Sequence, residues 1–331
     1  TEMGQGVNTN IKQLVAGVFD ISADDVIVMA TSTEKNNNTS ATAASSATDL
    51  NGSAAINACL TIKEKLIDVA ARHLAAHELD VQASPTTIVF EDGQVYDRRR
   101  PKNRLSFKEV VKKAYHERVS LGERGFYATP GIDFTWEAGP EKLAAGHPFL
   151  YFTTGGAVCE VTIDRFTGDV TVDRADLVMD IGTPINPGIA RGQIIGGFIQ
   201  GMGWVTTEDL RYSTEGLLLS HSPTTYKIPN IQDTPAVLNV SWLERENPVN
   251  VKGSKAVGEP PLLLGLAVWA AVKDALKYAA PEQIPELKLP ASNEEILLRL
   301  SEIEVDSQNG KRRKTLGAIA TPVHGAAVEA S

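Results

Sequence analysis

The chain has 331 residues, enough for one large or two ordinary domains with a real core, and its 42% hydrophobic and 22% charged residues read as a soluble globular protein. A formal net charge of −9 argues against a general nucleic-acid binder, and the longest apolar run, residues 260–272, is too short to span a bilayer. Cys59 and Cys159 lie far apart with no Cys-x-x-Cys, so this chain alone ligates no iron–sulfur cluster; both read as buried small apolar residues in a reducing, cytoplasmic setting.

Ile11, Leu14, Val15 and Val18 follow the spacing of an amphipathic helix over 7–19, and a short strand is expected over 26–30. Residues 31–49 are rich in Ser, Thr, Asn and Ala. Helical spacing returns from Asn51 to about Leu79. Ile88-Val89-Phe90 and Gln94-Val95-Tyr96 flank Glu91-Asp92-Gly93, a hairpin signal. A helix is predicted over 107–119, then an extended crossing segment over 120–147, where Gly and Pro recur. Alternation is clearest over 157–180, with Thr167-Gly168-Asp169 as the turn. Helices follow over 188–204, 262–279 and 293–302, with a strand over 237–243. From about Glu304 periodicity is lost, and 304–331, with the basic cluster Lys311-Arg312-Arg313-Lys314, reads as a disordered tail. Helices alternating with hairpins predict an α+β fold of mixed sheets and packed helices. Residues 1–303 read as one domain, with a subdivision near 136–150.

Glu259 is the only acidic residue between Glu246 and Asp274, set between Gly258 and two prolines at the mouth of an apolar helix. Desolvation there would raise its pKa and suit a general base; a glutamate before a helix is equally favoured by the macrodipole while facing water. Gly4-Gln5-Gly6 precedes a helix, where backbone N–H groups suit an anion, although such turns are common. The small residues 39–48 read either as a linker or as room beside something bulky. Gly192, Gly196, Gly197, Gly201 and Gly203 fall in one predicted helix and its end, at a cost of about 1 kcal/mol for each interior glycine. So many imply close packing against another backbone or a ligand. His73 and His77 have i, i+4 metal-ligand spacing, but no third ligand follows, and a solvated helix face is favoured. No Gly-x-Gly-x-x-Gly after a strand and no Gly-x-Ser-x-Gly elbow occurs.

Five ordered motifs carry a family resemblance. They are Glu2-Met3-Gly4-Gln5-Gly6, Asn38-Thr39-Ser40-Ala41-Thr42-Ala43-Ala44-Ser45, Gly192-Gln193 through Gln200-Gly201, Thr225-Tyr226-Lys227-Ile228-Pro229, and Lys255-Ala256-Val257-Gly258-Glu259-Pro260-Pro261. Over roughly residues 1–300 the chain resembles the large, molybdenum-binding part of the molybdenum hydroxylases, most like the xanthine dehydrogenase group. The resemblance implies the C-terminal half of a molybdopterin-binding domain. It implies Glu259 as catalytic base and Gly4, Gln5, Gly6, Ser40, Ala43, Ala44, Ser45 and Gln193 as cofactor-binding residues. Ala43 and Ala44 would border the substrate pocket, with the Ala44 backbone close to molybdenum. The implied reaction hydroxylates hypoxanthine or xanthine to urate, with electrons passing through 2Fe-2S clusters and FAD to NAD on other domains or subunits.

The family's purine-orienting residues belong to motifs upstream of Thr1. The chain therefore reads as a piece of a longer polypeptide, inactive alone, whose partners are the N-terminal half of the molybdenum domain, the iron–sulfur and flavin domains or subunit, and further copies in an oligomer. An aldehyde oxidase-like hydroxylase, which shares the base and cofactor loops, is the alternative enzyme. A non-catalytic C-terminal module is the alternative class.

Overall fold

Each helix and hairpin follows from a local pattern, and each pattern is completed by a contact the sequence does not display. The computed structural model describes residues 1–35, 41–74, 83–133, 146–279, 281, 286–308 and 327–330. They divide into two compact units, Thr1–Leu150 with Pro248–Lys252, and Tyr151–Asn247 with Gly253–Ser331. The fold is α+β.

In the first unit, helix α1 (Val7–Phe19) packs on the long helix α2 (Ala47–His73). Gly52 permits the approach, since a Cβ there would lie 2.6 Å from the Leu14 side chain. Strands β1 (Ile88–Glu91), β2 (Gln94–Asp97) and β3 (Arg104–Ser106) form an antiparallel sheet in the order β1-β2-β3. The first turn puts Asp92 at φ 48° and Gly93 at φ 69°, the doubly left-handed turn that matches strand twist. Asp20, itself left-handed at the end of α1, holds that turn: its side chain accepts the Asp92 N–H at 3.0 Å and its carbonyl the Gly93 N–H at 2.7 Å.

Helix α3 (Phe107–His116) opens on a capping box between Ser106 and Glu109. It ends before the expected Val119 because Arg118 turns left-handed, at φ 59°. The core holds Leu66, Val69, Val95 and Val110, with the rings of Phe19, Phe90 and Phe107 clustered at 5.3–6.5 Å. The described part of the crossing segment is neither helix nor strand and runs along α2, where Asn57 Nδ2 donates to the Phe126 carbonyl at 2.8 Å.

The strand expected over 26–30 is not formed. Ile27 is 86% and Met29 73% exposed, and no ladder joins them among the described residues. Apolar β-prone residues make a strand only where a second backbone supplies hydrogen bonds.

In the second unit, strands β4 (Thr154–Ile163) and β5 (Val170–Asp180) form a long antiparallel hairpin with a bulge between Glu160 and Val161. After helix α4 (Pro187–Thr206), strand β6 (Val237–Trp242) joins β5 in parallel. Helix α5 (Leu266–Leu276) follows a 3₁₀ helix, Pro260–Gly265, so the expected helix over 262–279 is built in two parts. Helix α6 (Asn293–Gln308) runs past residue 302. Strand β7 (Ala327–Ala330) pairs antiparallel with β4, within the stretch read as a tail; Lys311 to Lys314 lie outside the described residues. The sheet order is β6-β5-β4-β7.

Leu177 and Met179 of this sheet, Phe198 of α4, Leu264, and Val268 and Val272 of α5 make one buried core. Cys159 belongs to it, and burial, helped by the nearby Asp176 carboxylate, pushes its thiol up to about 12. Burial likewise raises the pKa of Cys59. Both cysteines are free and buried, as the sequence indicated.

The glycines of α4 divide into two sets. A Cβ on Gly201 would lie 2.0 Å from the Leu262 carbonyl oxygen and one on Gly197 2.9 Å from Pro261, whereas Gly192 and Gly196 have nothing within 4 Å. Gly201→Ala is therefore expected to destabilise by about 1–3 kcal/mol through overpacking. Gly192→Ala is expected to stabilise by up to about 1 kcal/mol through helix propensity. Urea denaturation of the two variants measures both; equal effects would contradict this division.

Candidate functional site

The first unit carries the N-terminal loop and the small-residue turn. Glu2 folds back onto the start of α1, where its carboxylate accepts the N–H groups of Gly4 (2.9 Å), Gly6 (3.0 Å) and Asn8 (2.9 Å). The Asn8 N–H above all, with those of Gly6 and Gly4, holds this carboxyl below the usual range. An internal carboxylate thus takes the position where a helix start favours an anion. Gln5 completes the loop: its Oε1 accepts the Met3 N–H at 2.6 Å and its Nε2 donates to the Thr1 carbonyl at 2.8 Å. One N–H and one lone pair of that amide remain for other partners. The Thr1 nitrogen donates to Thr42 Oγ1 at 2.7 Å, which ties Thr1 to the 41–46 turn.

In that turn, Ser46 donates to the Ala43 carbonyl from its N–H (3.2 Å) and its hydroxyl (2.9 Å). Ala44 at φ 52° and Ser45 at φ 54° are both left-handed. Each such non-glycine residue costs about 1–2 kcal/mol, and strain of this kind gathers at ligand sites. Ala43 and Ala44 are exposed. Ser40 lies outside the described residues.

Gln193 and Glu259 belong to the second unit. Helix α4 contacts the 3₁₀ helix Pro260–Gly265 in parallel register: Gly197 meets Pro261, and Gly201 meets Leu262 and Gly265. Gln193 lies one turn before Gly197 on the same face, about 6 Å further along the axis. Glu259 immediately precedes Pro260. It is exposed, while Pro261 and Leu264 turn into the core and Leu263 faces outward. The desolvation anticipated from its apolar sequence neighbours is thus not supplied by them.

The segment before Glu259 is bonded onto the end of β5. Thr183 N–H donates to the Gly253 carbonyl (2.8 Å) and Lys255 N–H to that of Ile181 (2.9 Å). Lys255 Nζ donates to Asp180 Oδ2 at 2.7 Å, the two side chains being 14% and 8% exposed. Ala256 N–H donates to the Tyr151 hydroxyl oxygen at 2.9 Å, and Thr153 Oγ1 donates to the Ala256 carbonyl at 3.1 Å. Sequence reasoning missed Asp180 and Tyr151, and it quoted Glu2 in a motif without giving it a role. Only Glu2, an acidic residue ahead of a helix, left a local signal.

Two further motifs serve the fold. Pro229 of Thr225-Tyr226-Lys227-Ile228-Pro229 fills the space a Cβ on Gly203 would need, and Tyr226 donates to Glu208 Oε2 at 2.5 Å, which locks the end of α4. His73 hydrogen-bonds Glu117, which also pairs with Arg72 at 2.5 Å, so it serves a surface polar contact. His77 lies outside the described residues, among which no cluster of three His, Cys, Asp or Glu forms. No helix among the described residues is long and apolar enough to cross a membrane.

The family model described as molybdopterin cofactor-binding domain matches residues 1–235, and the chain belongs to this family, that of the molybdenum hydroxylases. Xanthine dehydrogenase of Oryza sativa subsp. japonica is 40% identical over 290 residues, 85% of this chain and 19% of that protein. Xanthine dehydrogenase of Emericella nidulans is 39% identical over 303 residues, 89% of this chain and 20% of that protein. The chain thus spans about a fifth of the length of these curated relatives. Among solved structures, quinoline 2-oxidoreductase from Pseudomonas putida 86 superposes with a TM-score of 0.73 at 28% identity, covering 91% of this chain and 36% of that one.

The left-handed turn yields a direct test. Ala44→Gly is expected to leave stability unchanged or raise it by up to about 1 kcal/mol, because glycine adopts φ 52° without a Cβ penalty. Ala44→Val is expected to lower it by about 1–2 kcal/mol. Equal thermal midpoints for the two variants would mean that the turn is not left-handed.

Proposed function

We propose that the chain is the C-terminal half of the molybdenum domain of a xanthine dehydrogenase-type hydroxylase, which converts hypoxanthine and xanthine to urate. Identity of about 40% to xanthine dehydrogenases supports the purine substrate. The observation that carries the reading is the backbone contact of α4 with Pro260–Gly265, which joins the helix that bears Gln193 to the segment that directly follows Glu259.

The residues present fit the cofactor. Gly192 and Gly196 leave the helix backbone bare beside Gln193, and nothing among the described residues requires their lack of a side chain. Two such glycines cost about 2 kcal/mol of helix propensity together, which suits a helix that a broad, polar ring system approaches closely. In the first unit, the exposed Ala43 and Ala44 keep the space beside a strained backbone clear. Gly4, Gln5, Gly6, Ser40, Ala43, Ala44, Ser45 and Gln193 would hold the molybdopterin, with the Ala44 backbone nearest the metal.

When bound, the molybdenum cofactor supplies the two-electron redox chemistry. The chain supplies geometry and a proton acceptor. Gln5 and Gln193 orient the pterin through amides that both donate and accept. Ala43 and Ala44 admit the flat substrate by staying small. A carboxylate oxygen of Glu259 takes the proton released as the oxygen nucleophile attacks the electron-poor purine carbon. Its exposure in this chain leaves closure of the pocket to the N-terminal half of the molybdenum domain. Onward electron transfer through 2Fe-2S clusters and FAD to NAD belongs to other domains or subunits, in an oligomer of the whole enzyme.

Glu259→Gln in the complete enzyme is expected to lower kcat by about 10²–10⁴-fold or more, with molybdenum and pterin content unchanged. Wild-type turnover in a fully loaded variant would reject the base. Ala44→Leu is expected to lower cofactor content or abolish urate formation, with fold stability changed by no more than about 1 kcal/mol, because the added side chain points away from the core. Normal loading and turnover in that variant would leave residues 39–48 as a linker.

A further inference from the structure

We propose that Asp180, acting through Lys255, and Tyr151, acting through Ala256, are positioning residues for Glu259. The inference rests on the reading of Glu259 as the base. It concerns what keeps an exposed carboxylate in one place.

On its C-terminal side Glu259 is fixed by packing. Pro260–Gly265 lies against bare backbone on α4, as the close approaches at Gly197 and Gly201 require. On its N-terminal side the packing is slighter: Gly258 is exposed and only the partly buried Val257 touches the core. The hydrogen-bonded anchors before Glu259 are Lys255 and Ala256. Their backbone and side-chain bonds run to Ile181, Asp180, Tyr151 and Thr153, all at the ends of the sheet hairpin β4–β5 or just beyond them.

The Asp180–Lys255 pair is the unusual element. Asp180 is 6% exposed and ends β5, and its other oxygen accepts the Gly182 N–H at 3.3 Å. A buried ion pair is a poor device for stability, since a well-packed apolar pair does as well or better. What it does supply is direction: one ammonium at the end of a flexible stem meets one carboxylate on a rigid strand. Gly182 at φ 63° brings this strand end onto the loop, where a Cβ would lie 2.3 Å from the Gly253 carbonyl oxygen. The loop is therefore held in register with the sheet four residues before the base. Displacement of a reacting group by about 1 Å can cost on the order of 10²-fold in rate. Loss of either anchor should appear as lost turnover without lost binding.

The test compares Lys255→Met, Lys255→Arg, Tyr151→Phe and Glu259→Gln in the complete enzyme, with bound molybdenum and pterin, kcat, KM and amide hydrogen exchange measured for each. Lys255→Met is expected to lower kcat by about 10–100-fold. KM should stay within about threefold, cofactor load should be full, and exchange should quicken within 253–262 alone. Lys255→Arg should recover most of kcat and the protection of that loop, because it restores the charge. Tyr151→Phe removes one hydroxyl without emptying any space, so it tests the proposal even if Lys255→Met does not fold; it should lower kcat about 3–10-fold and quicken exchange near Ala256. Wild-type kcat and exchange in Tyr151→Phe and in any folded Lys255→Met, alongside an inactive Glu259→Gln, would overturn the positioning roles and leave the base standing. Wild-type turnover in Glu259→Gln would overturn the base, and the positioning roles with it.

Discussion

Two backbones in contact set the geometry of the second unit. A Cβ on Gly265 would lie 2.3 Å from the Gly201 carbonyl carbon, and one on Gly201 would lie 2.0 Å from the Leu262 carbonyl oxygen. At Gly201 and Gly265 backbone meets backbone with no side chain between, so little there can rotate or compress to shift α4 against the 3₁₀ helix. Phe198 and Leu264, both 0% exposed, fill the space around the contact. The helix fixes where Gln193 lies, and the 3₁₀ helix fixes where Glu259 begins.

Packing sets position, and polar bonds set direction. The chain beyond β5 and the loop from Gly253 to Ala256 are tied by backbone bonds, by the Asp180–Lys255 pair and by the Tyr151 hydroxyl. Each bond adds little net stability, because water would otherwise satisfy the same groups. Together they exclude alternative paths for a loop rich in small residues. The ends of a sheet suit this task, since strand register is stiff and the last carbonyls and N–H groups of a strand still need partners.

The first unit relies on a different device. Ala44 and Ser45 hold left-handed backbone that glycine would adopt at lower cost, and Glu2 neutralises the start of α1 from within. Strain retained at an exposed turn has no use in the packing of α1 on α2. It shapes the surface of the 41–46 turn, on which the cofactor reading of this unit depends.

The sequence alone determined the elements whose cause is local. Helix α1, the hairpin around Asp92 and Gly93, helix α3, the β4–β5 hairpin and helix α4 appear where apolar periodicity and turn residues required them, because those patterns act over a few residues. The motif of residues 255–261 was likewise legible, since Gly258 and the two prolines are visible as written. Tertiary structure decided the rest. Residues 26–30 have strand composition but lack a second backbone to pair with among the described residues. Pro260 begins a 3₁₀ helix rather than α5 because Gly197 and Gly201 receive it at close range. Asp180 meets Lys255 across 75 residues of chain. No periodicity encodes such a pair, because its partners are chosen by where the sheet ends in space and not by spacing along the chain.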